Sequence, residues 1–238
     1  MGTVAAVQFR GGIDKGAVEK VKASFAEVER LLNAHDPRSE IRRLAARPDG
    51  EILASCDASV RPCYAAALEF RRRTGGAFDP RWRGPGTFDL GGIAKGFAVD
   101  VAAAELKASG IALDTLVDLG GNLKSVRGEW EVGVHDPAGG EMRTFRLAEG
   151  AACATSAEYF RGRHIRDPRT GEAPRGDVVS VTVIDPESAM SADGWSTALF
   201  VLGRDAGEKA MSAHRPAARA IWQRGTRNPK EEQQDEGS

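Results

Sequence analysis

Residues 89–100 read Asp-Leu-Gly-Gly-Ile-Ala-Lys-Gly-Phe-Ala-Val-Asp: an acid, a pair of glycines, a lysine six residues beyond the acid, then a helical pattern. Paired glycines let the backbone turn tightly and approach a ligand, because neither carries a Cβ. Phe97, Val101 and Ala104 recur at helical spacing, so Gly91 and Gly92 fall near a helix N-terminus, where free amides and the macrodipole favour an anion. Lys95 then puts a cation into the first helical turn, against that preference, which points to a partner anion. The bland alternative is an ordinary turn into a helix with a solvated lysine. Neither Rossmann nor Walker spacing is present.

Outward from this segment, Thr3 to Arg10 alternates as a strand does, and Gly11-Gly12 closes it ahead of a helix with Val18, Val21, Phe25, Val28 and Leu31 on one face. A second long helix is expected over Ala58 to Arg73, with Val60, Tyr64, Ala67 and Leu68 inward. Between the two, Asp36-Pro37 reads as a turn leading to a short helix near Ser39-Glu40. Residues 113–183 change character. Leu116 to Asp118, Leu123 to Val126, Trp130 to Val134, Thr144 to Leu147 and Val178 to Val183 are short β-prone runs divided by Gly, Asp and Pro, the pattern of an antiparallel sheet. Ala189 to Leu202 returns to helical spacing, and Ala217 to Gln223 suits a closing strand. The expectation is an α+β fold, antiparallel sheets packed with helices, in a single domain over 1–225. The apolar-free tail, 226–238, is expected to be disordered.

Composition narrows the function classes. With 238 residues, 41% of them hydrophobic, the chain can bury a sizeable core. A net charge of -1 with interspersed signs offers no broad basic field for nucleic acid and no polybasic membrane anchor. No run approaches the roughly 18 apolar residues of a membrane helix, and the sequence as given opens without a signal pattern. Cys56, Cys63 and Cys153 form no CxxC pair and suit reduced, buried thiols. These features point to a cytoplasmic setting.

Three further groupings carry chemistry. His164-Ile165-Arg166-Asp167-Pro168-Arg169-Thr170-Gly171 gathers an imidazole, a carboxylate, guanidinium groups and a hydroxyl at a Pro-containing turn. His164 could deprotonate a hydroxyl near neutral pH, with Asp167 orienting it; a plain polar turn capped by Asp167 is the alternative. Ala154-Thr155-Ser156 offers adjacent hydroxyls at the end of an apolar run. Asp193 and Thr197, four apart on one helix, present two hard oxygens toward one point, as magnesium requires, or else Asp193 merely complements a helix dipole.

In order along the chain stand Met1-Gly2-Thr3, Ser39-Glu40-Ile41, Gly76-Ala77-Phe78-Asp79-Pro80, Asp89 to Gly96, Leu119-Gly120-Gly121-Asn122, Ala154-Thr155-Ser156, His164 to Gly171, and Asp193 with Thr197. This series resembles the ApbE family, the FAD:protein FMN transferases, from about Met1 to Gln223. The resemblance implies a T-fold-like α+β architecture, FAD as substrate, magnesium, and transfer of FMN to a threonine hydroxyl of an acceptor protein with release of AMP. It implies that Asp89 and Lys95 contact FAD, that Met1, Ala77, Phe78 and Asp79 line the flavin nucleotide site, and that His35 stands where the family usually carries a tyrosine. Gly92 would lend a carbonyl to the metal, Asp193 and Thr197 their side chains, and His164 would accept the proton. The acceptor would carry a Ser/Thr-containing flavinylation motif and is often an electron-transport subunit.

Some members hydrolyse FAD to FMN and AMP instead, so a pyrophosphatase stays open as a reading, as does a non-catalytic FAD-binding module. Departures from the family pattern are the short connection Pro80 to Phe88, His35 for tyrosine, and Ala157 after Thr-Ser where glycine is usual.

Overall fold

A computed structural model describes residues 3–135, 142–157 and 165–225. Six strands form one antiparallel sheet: β1 (Ala5–Arg10), β2 (Asp114–Leu119), β3 (Asn122–Arg127), β6 (Ala152–Ala157), β7 (Val178–Asp185) and β8 (Arg219–Arg224), adjacent in that order. β4 (Trp130–Val134) and β5 (Arg143–Leu147) pair separately as a two-stranded ribbon. The helices are α1 (Lys15–Leu32), α2 (Glu40–Leu44), α3 (Asp49–Ser55), α4 (Arg61–Arg73), α5 (Ala94–Ala108), α6 (Ala189–Leu202) and α7 (Arg204–His214).

Successive strand residues point to opposite faces, and this alternation sorts the core into two layers. Val117, Ala152, Ala154 and Val183 face the helices, together with most of the buried side chains. Their sequence neighbours Leu116, Cys153 and Ile184 face the other way, where Trp130, Val132 and Leu147 of the β4–β5 ribbon cover them. The sheet is therefore covered on both sides, by helices on one and by the ribbon on the other. All three cysteines are free and buried. Among the described residues no helix is long and apolar enough to cross a membrane.

α5 is the central helix. Gly96, Phe97, Ala98, Val99, Ala102, Ala103 and Leu106 are all buried, so it is apolar nearly all round through its first three turns. The expected stripe is corrected in part: Phe97 is buried and Val101 half-buried, but Ala104 faces out. α1 packs against α5 and buries Ala17, Val21, Phe25, Val28, Leu31 and Leu32, with Val18 only half-buried. Asp14 caps α1 by accepting from Ala17 N at 2.9 Å.

α6 leans on α5, and one carboxylate fixes where they meet. Asp100 of α5 accepts from Ser188 Oγ (2.8 Å), Ala189 N (3.0 Å) and Met190 N (2.9 Å) at the start of α6, and from Lys124 Nζ of β3 at 2.7 Å. It satisfies amides that a helix N-terminus leaves without partners. Nearby, the wholly buried Asp185 at the end of β7 takes both Arg215 Nε and Nη2 at 2.8 Å. Burial alone would raise this carboxyl, but the Arg215 fork, a Ser191 hydrogen bond and the Glu187 and Ser188 amides hold it below the usual carboxylate range.

The second long helix begins at Arg61 rather than Ala58, because Pro62 fits only the first turn of a helix. α3, α7 and the strand character of β6 were not expected from sequence. The tail at 226–238 lies outside the described residues.

Candidate functional site

The anion that the α5 N-terminus calls for is a side chain of the chain itself. Asp193 of α6, 3% exposed, accepts from Gly96 N through Oδ2 at 3.0 Å and from Lys95 Nζ at 3.2 Å (Oδ1) and 3.4 Å (Oδ2). One carboxylate thus answers both the amide of the helix's first turn and the lysine that sat against the dipole. α5 and α6 approach this closely because Gly96 lacks a side chain: a Cβ there would strike the Ala189 carbonyl and come within 2.8 Å of Asp193 Cβ.

One turn along α6 from Asp193, Thr197 Oγ1 donates to Gly92 O at 3.3 Å and lies 3.4 Å from Ser156 Oγ. Ser156 Oγ also meets Ser196 Oγ at 2.9 Å. Gly92 must be small for this approach, since a Cβ would stand 2.9 Å from Thr197 Oγ1 and 3.1 Å from the Phe78 ring. A carbonyl, a hydroxyl and a carboxylate are hard oxygen donors of the kind magnesium takes. Among the described residues no cluster of three His, Cys, Asp or Glu side chains could hold a metal. A cation at this point would therefore depend on a single carboxylate, with substrate phosphate and water completing its shell. The donor set fits magnesium and does not fit a thiolate or imidazole site for a softer metal.

Phe78 reaches the same region from the other side. Its ring packs on Phe70 of α4 (5.6 Å between centroids), and Phe70 packs edge-on against Trp195 of α6 (5.4 Å). Thr74, at the end of α4, donates to Phe70 O at 2.7 Å and accepts from Phe78 N at 3.0 Å, which fixes the Ala77-Phe78-Asp79 turn. Ala77 and Phe78 are buried. Asp79 is half-buried; it accepts from Arg81 N at 2.8 Å and borders a cleft of about 620 Å³ with Asp49, Arg71 and Arg81. Asp89 accepts from Gly91 N at 2.8 Å, Trp82 Nε1 at 3.1 Å and Arg83 Nε at 3.3 Å. It pins the short 80–88 connection against the glycine turn.

The structure thus joins Lys95 to Asp193, Gly92 to Thr197 and Phe78 to Gly92. His35 is exposed, and its amide donates to Asn33 Oδ1 at 2.9 Å. Met1 and His164 lie outside the described residues. Asp167, the expected partner of His164, gives both its oxygens to Arg169 (2.8 and 2.7 Å), and Arg169 holds its carboxyl below the usual range. Asn122 and Ser156 stand in the motif series without an individual role, and Ser196 lies in no motif of it. The glycine pair ahead of Asn122 was the available clue to the first.

A family model for the ApbE family matches residues 1–85 and 82–222. The chain belongs to the ApbE family. Among relatives, a Vibrio cholerae protein named FAD:protein FMN transferase is 36% identical over 141 residues, which is 53% of this chain and 42% of that protein. A Rhodobacter capsulatus protein of the same name is 40% identical over 131 residues, 49% of this chain and 24% of that protein. The matches span less than half the length of either relative. Among solved structures, the flavin transferase ApbE from Vibrio cholerae superposes with a TM-score of 0.78 at 24% identity, covering 95% of this chain and 91% of that one. The apo flavinyl transferase ApbE from Pseudomonas stutzeri gives 0.76 at 24%, covering 95% and 89%. The α+β fold expected from sequence is the ApbE fold.

Proposed function

We propose that this chain is a magnesium-dependent FAD:protein FMN transferase, which moves the FMN moiety of FAD onto a threonine hydroxyl of an acceptor protein and releases AMP. The observation that carries the reading is the meeting of Lys95 and Asp193 beside the Gly92 carbonyl and the Thr197 hydroxyl. It occurs in an ApbE-family chain whose matched relatives bear that name.

Asp193, Thr197 and the Gly92 carbonyl would hold magnesium, which when bound neutralises pyrophosphate charge and stabilises the departing AMP. Lys95 places an ammonium beside them to bind the pyrophosphate. Asp89 and Lys95 contact FAD in this reading, and Ala77, Phe78 and Asp79 line the nucleotide site with Met1 and His35. His164 takes the proton of the attacking threonine as the new oxygen–phosphorus bond forms and the bond to AMP breaks. The acceptor is a protein bearing a Ser/Thr-containing motif, of the kind found in electron-transport subunits.

The test is incubation with FAD, magnesium and a candidate acceptor, followed by flavin fluorescence in a denaturing gel. The parent should label the acceptor, and Asp193→Ala should lose labelling along with its response to magnesium. Equal labelling by Asp193→Ala would remove the metal assignment. FMN released without labelling would make the chain a pyrophosphatase.

A further inference from the structure

Asn122 opens β3 and is 2% exposed. Its place is set by a two-residue turn: Gly120 (φ +61°) and Gly121 (φ +85°) join β2 to β3 with Leu119 paired to Asn122, a connection that requires left-handed backbone at both positions. Its carboxamide reaches the Lys95–Asp193 pair. With the amide oriented so that both of its polar atoms meet complementary partners, the nitrogen donates to Asp193 Oδ1 at 3.1 Å and the oxygen accepts from Lys95 Nζ at 3.3 Å. The opposite orientation would set an NH2 group against an ammonium and an oxygen against a carboxylate.

The three donors to Asp193 differ in kind. Gly96 N is backbone and holds Oδ2; Asn122 Nδ2 is on a short buried side chain and holds Oδ1; Lys95 Nζ straddles both from a long flexible stem. Two fixed neutral donors, one on each oxygen, set the carboxylate plane without the ammonium. Carboxylates that ligate metals need such outer partners to hold their orientation.

We propose that Asn122 is a positioning residue for the cation site: it keeps Asp193 oriented while Lys95 turns from the carboxylate to an anionic substrate. This rests on the transferase reading. An asparagine suits the role because one side chain must donate to a carboxylate and accept from an ammonium at once. Leucine, of similar size, does neither. Asn122→Leu leaves Asp193 Oδ1 with only the lysine, so that a cation and the substrate compete for what remains of its alignment.

The test uses Mn²⁺ as the probe, titrated without FAD and followed by the electron paramagnetic resonance of the free ion, on the folded 238-residue chain. Asn122→Leu should bind Mn²⁺ about 10- to 100-fold more weakly than the parent. Asn122→Ser, which keeps a donor that water can extend, should lie between them; it also carries the test if the leucine variant does not fold. A merely structural role would lower the unfolding midpoint and leave the Mn²⁺ affinity of the folded protein alone. Mn²⁺ affinities within twofold of the parent in the folded variants would overturn the inference and leave the transferase reading standing. A parent that binds no Mn²⁺ without FAD would overturn the inference, and the labelling assay would then decide the transferase reading by itself.

Discussion

Replacing Gly96 by alanine tests the closeness of α5 and α6 on which the site depends. On helix propensity alone the change should stabilise the chain by about 1 kcal/mol. Packing reverses the sign. The new Cβ would strike the Ala189 carbonyl oxygen first and lie 2.6 Å from its carbon and 2.8 Å from Asp193 Cβ, whereas ordinary contact begins at 3.4 Å, so the helices must part by about an ångström or more. Such overpacking costs about 1–3 kcal/mol. It also stretches the 3.0 Å bond from Gly96 N to Asp193, a bond to a charged group of the class worth about 1.5–3 kcal/mol. A net loss of about 3 kcal/mol follows from these magnitudes, equivalent to a fall of about 6–12 °C in Tm for a chain of this size. Thermal and urea unfolding would read it, and Mn²⁺ affinity should fall with it. Gly50 is the internal control: it lies in α3 with nothing within 4 Å of an added Cβ, so Gly50→Ala should gain about 0.4–1 kcal/mol. If Gly96→Ala were as stable as the parent, the reasoning from close approach would be refuted.

Arg215→Met leaves the wholly buried Asp185 without its guanidinium and should cost about 3 kcal/mol at pH 7 by denaturant unfolding. Because the folded Asp185 carboxyl lies below its unfolded value, its contribution is complete above about pH 4 and is lost as pH falls through the folded value. The gap between parent and variant should therefore close in acid, and a gap constant from pH 7 to pH 2 would contradict the assignment. Asp118 has the opposite sign: burial raises its carboxyl against the opposing Gly121 amide, so Asp118→Asn should raise the unfolding midpoint at pH 7, with the gain shrinking below the carboxylate range. Lys95→Met should weaken FAD binding about tenfold or more, read by quenching of flavin fluorescence; an unchanged affinity would release Lys95 from the pyrophosphate.

How far the sequence disclosed this molecule depended on whether a signal was local. Ala189–Leu202 was legible to the residue because its apolar spacing is unbroken and Gly203 ends it. β6 was not, because Ala-Cys-Ala-Thr-Ser-Ala has weak strand propensity; it is a strand because β3 and β7 flank it, which is tertiary context overriding local preference. α3 begins at Asp49-Gly50, a pair that reads as a turn, and α7 follows α6 with only Gly203 between them. At the site, Asp89 to Gly96 and the pair Asp193 with Thr197 announced their residue types. That Lys95 would find Asp193 across 98 positions, with Asn122 between them, is a product of the fold.

The buried thiols give this chain a native clock. Cys63 lies in the helical layer and Cys153 under the β4–β5 ribbon, on opposite faces of the sheet. Burial pushes the Cys63 thiol well up and that of Cys153 up to about 12, so neither presents thiolate to a reagent while its layer is closed. Alkylation of each then proceeds only through opening of its own side, and the ratio of the two rates separates loosening of the ribbon from loosening of the helices. Without any introduced label, the protein can report which of its two layers yields first.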